Sequence, residues 1–189
     1  MNADAIQVVT QALRDPTVPT IPTVYVGPLD DPDARNADAV LFLYRVTANA
    51  ELRNSPHTVP ASNPADPPVV FEGALPLDLY YLLTVGAKQA TDELPALGVL
   101  GKAMQALNDS PLLVGSAVRG ELARISLDSV SSEEMGRIWT LFPAANYRTS
   151  VLYLVTPVWI DPRQQRPGAA PVVDENYRAE PITPEESLV

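Results

Sequence analysis

Three runs of this chain are apolar in the alternating pattern of covered strands, and they restrict the fold more than any other feature. Residues 39–46, AVLFLYRV, place Val40, Phe42, Tyr44 and Val46 on one face and Ala39, Leu41 and Leu43 on the other. A strand apolar on both faces belongs where a sheet is covered on both sides, so this one is expected to be central. Residues 75–85, LPLDLYYLLTV, put Leu75, Leu77, Leu79, Tyr81, Leu83 and Val85 on one face and Asp78, Tyr80, Leu82 and Thr84 on the other. Pro76 fits only the start of a strand or an edge-like position. The third run, SVLYLVTPVWI over 150–160, carries Pro157, which predicts an edge, a bulge or a bend. A brief strand is expected over 23–26.

Between these strands the period changes to that of helices. Ile6, Val9 and Leu13 share a helical face, with Asn2 as the cap and Asp15-Pro16 as the stop. A second helix opens at Thr91 or Asp92 with Pro95 in its first turn. Its expected stripe is Leu97, Leu100, Met104 and Leu107, and Gly98 and Gly101 are expected to serve close helix-to-sheet packing. Asn108-Asp109-Ser110-Pro111 ends it. Residues 112–118 and 121–127 read as a hairpin around Arg119-Gly120. Ser131 and Glu134 form a capping box, ahead of Met135, Ile138, Trp139 and Phe142 at helical spacing. Without regular βαβ alternation, the order argues for a single α+β domain. Its expected form is one largely antiparallel, mixed sheet with about three helices packed on one face.

Proline sets the boundaries of that domain. Five of the 20 prolines fall in 15–32, six in 54–76 and five in 162–189, leaving four for the other 120 residues. The body is therefore expected over 1–161, with a long Pro-rich loop over 54–75 and an extended C-terminal arm over 162–189. Loops of that length are uncommon in compact domains and are usually functional or disordered. The acidic turn Asp30-Asp31-Pro32-Asp33 reads as solvated surface, since its spacing does not follow a calcium loop.

Composition removes most chemistry. The absence of cysteine excludes disulfides, thiolate nucleophiles, iron–sulfur clusters and Cys-containing zinc sites. One histidine, His57, leaves one imidazole base; it lies in the Pro-rich loop and reads as exposed, and there is no Gly-x-Ser-x-Gly elbow. Asp78 interrupts an apolar strand and is expected to face solvent or cap a backbone group. A carboxylate-dependent hydrolase stays open only if such an acid lines a deep pocket. No phosphate loop is present, because the glycines lack a following Lys-Ser/Thr. A net charge of −10, with two lysines and eleven scattered arginines, argues against nucleic acid. No apolar stretch approaches the ~18 residues of a membrane span, and the N-terminus lacks a basic and then apolar leader. The chain is read as soluble, not exported by a signal peptide, and without catalytic, cofactor or metal residues. Of its 12 aromatic residues, most are expected in the core and a minority at a subunit interface.

LFLYRV followed by Leu52-Arg53-Asn54, then LPLDLYYLLTV, the helix ending in LNDSP, the Ser131 to Trp139 helix and YRTSVLYLVTPVWI stand in one order. Together, over roughly residues 3–161, they resemble the tail-terminator or cap proteins of phage-tail-like contractile injection systems, the antifeeding-prophage and virulence-cassette type. The resemblance implies a non-enzymatic structural protein without cofactors, made in the bacterial cytoplasm and assembled as the distal cap of a particle. Its implied partners are itself, as a homohexameric ring, the inner tube protein and the sheath protein, with neither nucleic acid nor direct membrane insertion. Such a ring stops tube growth and links the last sheath ring to the tube. Another tail-morphogenesis component, a tail-completion or neck-type adaptor, stays open as the alternative. Candidate subunit or partner contacts are Arg53, Asn54, Tyr147, Arg148, Trp159, Pro162, Arg163 and Tyr177. Arg53 matches a family pattern, where it would pair with a neighbour's carboxylate or cap the strand end within its own chain. Tyr147-Arg148 leads the last strand, but Thr149 follows where the family often has proline. The arm would engage the sheath by adding a strand to it.

Overall fold

The three apolar runs pair with one another at the centre of the molecule. A computed structural model describes residues 3–17, 19–61, 63, 66–89, 93–163 and 166–167. Its elements are α1 (Ala5–Arg14), β1 (Val24–Val26), β2 (Ala39–Ala48), β3 (His57–Val59), β4 (Val69–Phe71), β5 (Leu75–Val85), α2 (Glu93–Asp109), β6 (Leu112–Val114), β7 (Leu122–Asp128), α3 (Ser132–Trp139), β8 (Ser150–Ile160) and β9 (Arg166–Pro167). Six strands form one sheet in the order β1-β2-β5-β8-β7-β6, and β3, β4 and β9 form a second, small one. β1 runs parallel to β2 and every other pairing in the large sheet is antiparallel, so the fold is α+β with a mixed sheet.

The two middle places belong to β5 and β8, while β2 lies one place from the edge beside three-residue β1. Pro157 follows a cis peptide bond and sits at a bulge. There Leu77 pairs with Val158 and Leu79 with Val155, so Thr156 and Pro157 together face Asp78. The irregularity absorbs a residue that cannot donate to the ladder, and it explains how proline is tolerated in a central strand.

Helices cover both faces of the large sheet, not the one face expected from the sequence. On the first, Val9 and Leu13 of α1 and Leu100, Ala103 and Leu107 of α2 pack with Leu41, Leu79, Tyr81, Leu83, Ile125 and Val155. On the second, Ile138 and Trp139 of α3, with Phe142 beyond it, pack with Val40, Leu82 and Leu152. The cause is already present in β2, whose Val40 and Leu41 point to opposite sides and are both buried.

Local signals account for the helix ends. Ser131 Oγ accepts the Glu134 N–H at 3.1 Å, as the capping pattern predicts. At α1 the cap position is Asp4, whose carboxylate pairs with Arg119 and not with its own helix; Asn2 lies outside the described residues. α2 begins at Glu93, and the expected caps Thr91 and Asp92 are likewise outside. Its buried stripe is Ala96, Leu100, Ala103 and Leu107, while Leu97 is 42% exposed. Alanines therefore provide the close approach expected of Gly98 and Gly101, whose Cα positions face open space. Gly86 does depend on having no Cβ, which would lie 1.9 Å from the Ala37 carbonyl oxygen. Its N–H donates to the Asp38 carbonyl at 2.8 Å, closing β5 onto the start of β2.

The 112–127 region pairs β6 with β7 as read, through a 3-10 turn over Gly115–Val118 and left-handed Arg119 at φ 55°. In the acidic turn, Asp31 caps a 3-10 turn over Pro32–Asn36 by accepting the Asp33 N–H at 2.8 Å. Among the described residues, no helix is long and apolar enough to cross a membrane.

Candidate assembly surfaces and a buried histidine clamp

The Pro-rich excursion is not a bare loop. β3 and β4 pair antiparallel, His57 opposite Phe71 and Val59 opposite Val69, and β9 pairs with β4 on its other side. The start of the supposed arm thus adds a strand within its own chain, and residues 168–189, Tyr177 among them, lie outside the described residues. Phe71, Ala74 and Trp159 form the core between the small sheet and the end of β8, with Leu52, Val59 and Val69 around them.

His57 overturns its reading as an exposed loop residue. It is buried, 6% exposed, and its ring lies parallel to Trp159 with centroids 4.6 Å apart and to Phe71 at 5.9 Å. Nδ1 meets Asp161 Oδ1 at 2.6 Å and Nε2 meets Glu121 Oε2 at 2.9 Å. Glu121 immediately precedes β7 and Asp161 immediately follows β8, so the large sheet holds both carboxylates in place. Burial works against ionising Glu121, but the hydrogen bond and charge of His57 lead the opposing influences, and its carboxyl is held below the ordinary value.

Asp78 belongs to a separate polar group across three strands. Its Oδ1 accepts from Asn49 Nδ2 at 2.9 Å and from the Thr156 hydroxyl, at the bulge opposite Pro157. Asn49 also accepts the Leu52 N–H at 3.0 Å, which makes Asn49 the residue that ties down the chain leaving β2. This gives Asp78 a stitching role between β5 and β8, different from both roles expected of it.

The proposed contact residues divide into exposed and internally engaged groups. Arg53 and Asn54 are exposed on the turn after β2, and Arg163 is exposed beyond β8, next to half-buried Pro162. Tyr147 is 66% exposed and its ring leans on Trp139 at 5.2 Å. Arg148 is turned inward: it donates to the Val85 carbonyl at 3.0 Å, and burial lowers its pKa. Trp159 is 8% exposed and its ring is taken up by His57.

Two apolar surfaces escaped the sequence reading. Leu112 and Val114 on the β6 edge, and Leu122 of β7 paired with Val114, are about half exposed, at 48%, 52% and 54%. Leu94 and Leu97 stand out from α2, and Leu97 lines a hollow with Val85, Tyr147 and Arg148 beside the start of β8. The pairing of Arg124 with Thr156 places the first surface near the other end of that strand. Half-burial of alternating residues on a short edge strand has no distinct sequence signature, because the same leucines also fit a core strand.

The arrangement defines an α+β domain with apolar side chains exposed at the β6 edge and on α2. The chain belongs to the Pvc16 N-terminal domain family, whose model matches residues 5–174. That match bears out the resemblance to tail terminators. Two solved structures share the fold. One is the PVC sheath/tube terminator of an extracellular contractile injection system in its extended state, 20% identical with a TM-score of 0.60, over 100% of this chain and 67% of that one. The other is the tube-terminating cap of the anti-feeding prophage, 20% identical with a TM-score of 0.54, over 97% of this chain and 63% of that one. Among curated proteins, no significant match is found.

Proposed function

We propose that this chain is the structural terminator of a phage-tail-like contractile particle, acting without catalysis. Its membership of the Pvc16 N-terminal domain family carries the reading, and the fold shared with two tube-terminating proteins supports it. In this reading the protein forms a hexameric ring on the distal end of the inner tube, ends tube and sheath growth and links sheath to tube. It assembles in the bacterial cytoplasm and remains part of the particle.

A closed ring of identical subunits needs two different surfaces per subunit, related by a rotation that closes. The β6 edge with Leu112, Val114 and Leu122, and the hollow beside Leu97 and Tyr147, supply two such surfaces near opposite ends of β8. Arg53, Asn54 and Arg163 are exposed and available for polar contacts at the rim, while Arg148 and Trp159 act inside the subunit. Residues 1–161 form the ring body, and the segment 162–189, whose Arg166–Pro167 strand lies on β4 of its own chain, engages the sheath beyond that strand.

The test is co-expression with the cognate tube and sheath proteins, followed by imaging of labelled protein on the particles and native mass spectrometry of released complexes. Label at one distal end and a sixfold species are expected. Label elsewhere on the particle, or a strict monomer that joins neither polymer, overturns the reading. Deleting 162–189 should leave the body folded and weaken sheath attachment; intact particles after the deletion reject the role given to that segment.

A further inference from the structure

Both ring nitrogens of His57 face carboxylate oxygens, so which of them carries hydrogen depends on the protonation and tautomer of the ring. An ionised carboxylate only accepts hydrogen bonds, and a neutral imidazole has one N–H and one bare lone pair. With Asp161 Oδ1 at 2.6 Å from Nδ1 and Glu121 Oε2 at 2.9 Å from Nε2, a neutral ring would set a lone pair against an anionic oxygen at one of its two nitrogens. The ring that donates to both is the imidazolium, one cation between two anions. The three side chains are 7%, 9% and 7% exposed for His57, Glu121 and Asp161, so water does little to screen them. A ring nitrogen and one oxygen of each carboxylate also lie within 4.8 Å of one another, a spacing a metal ion could use, so a divalent cation such as zinc is the competing occupant of the same three side chains.

The clamp joins three separate pieces of chain. His57 opens β3, Glu121 enters β7 and Asp161 leaves β8, six residues before β9 ends on the small sheet. Among the described residues, the ionisable groups set against the ring are Glu121 and Asp161, and β4 and β8 present the faces of Phe71 and Trp159 to it; Glu121 is in addition met by the hydrogen bond and charge of the N-terminal amine. We propose that His57, Glu121 and Asp161 form a proton-operated latch that fastens the small sheet, and with it the chain beyond β8, to the large one. It is closed while the ring carries both hydrogens and both carboxylates are ionised. Raising the pH until the ring loses a proton, or lowering it until a carboxylate gains one, opens it. The latch is independent of whether the protein caps a tube.

Because His57 is the only histidine, ring nitrogen resonances of the ¹⁵N-labelled full chain report on it alone. At the pH of greatest small-sheet protection both nitrogens are expected to carry hydrogens; a lone-pair nitrogen there overturns the proposal. Amide hydrogen exchange then follows β3 and β4 against Leu82 and Tyr153 of the large sheet, corrected for intrinsic rates. Small-sheet protection relative to that core should be greatest near pH 6 and at least tenfold lower at pH 4 and at pH 10. A constant ratio across that range rejects the latch. His57→Phe keeps a flat ring in the stack but removes both donors, and should lower small-sheet protection at least tenfold at pH 6; unchanged protection overturns the proposal. The pair Glu121→Gln with Asp161→Asn keeps the shapes and removes the charges, and should flatten the pH response; a response identical to that of the unaltered chain also overturns it. Addition of zinc to the unaltered chain should leave both ring hydrogens in place, and their loss would replace the latch by a metal site.

Discussion

The large and small sheets are held by forces of different kind. Around β5 and β8 the core is made of aliphatic and aromatic side chains from three helices and six strands, a contact that is non-directional and indifferent to pH over the ordinary range. The small sheet has strands of two and three residues and a core of Phe71, Ala74 and Trp159. A two- or three-stranded unit of that size is marginal alone. What completes it is the stack on Trp159 and the charged clamp at His57, both dependent on position to within tenths of an ångström. The large sheet is therefore expected to set global unfolding and the small sheet to open locally.

The largest effect is expected from Leu82→Ala. Leu82 is fully buried on the second face, against Leu152 and the α3 residues. Its truncation should cost about 2–5 kcal/mol in denaturant unfolding. Both sheets should lose their structure in that one transition; separate transitions would show that the small sheet stands without the large one.

Second in size is an alkaline effect confined to the large sheet. Burial pushes the Tyr81 hydroxyl up to about 12, against the lowering effect of its hydrogen bond with Thr10 at 2.7 Å. The folded value exceeds the unfolded one, so this contribution to stability is complete below pH 10 and is lost as pH rises toward 12. The loss by pH 12 should be on the order of 2–3 kcal/mol. Tyr81→Phe should remove that decline while lowering stability at neutral pH by about 1 kcal/mol through the lost hydrogen bond. An unchanged alkaline slope in the variant would assign the decline to other groups.

Trp159→Ala addresses the small sheet. The indole covers His57 and Phe71 at the end of β8, and removing it should cost about 2 kcal/mol. Faster exchange confined to β3 and β4 is the expected signature. Equal acceleration in β5 and β8 would mean that the two sheets open together.

The large sheet was legible in the sequence because its signals are local. Alternation marked β2, β5 and β8, and Ser131 marked the start of α3, each within a few residues. The second face was half legible: β2 carried apolar residues on both sides, but nothing near α3 said which side it would cover. In α2 the leucine stripe and the alanine stripe share the helical period, and packing distance selected the alanines. The clamp was not legible at all. His57 and its partners are 104 and 64 residues apart in the chain, and no local pattern joins a histidine among prolines to two acids at the ends of distant strands. Arg148 and Trp159 stand out in the sequence on or beside the last strand, but their inward direction depends on Val85 and His57, supplied by other segments.

The smallest expected effect is the most discriminating between the two sheets. Glu121 has its folded pKa below the ordinary 4.5, so its contribution to stability is present above that value and is lost as pH falls through the folded pKa. The large sheet's Tyr81 acts only at the alkaline end, which leaves the acid end to groups such as Glu121. Glu121→Gln should therefore reduce the acid slope of stability below pH 5 and leave the decline that Tyr81 sets between pH 10 and 12 unaltered, read by thermal unfolding in a pH series. If the variant shifted the alkaline limb, the two sheets would be coupled through their ionisable groups, and the division between a pH-indifferent core and a proton-sensitive attachment would fail.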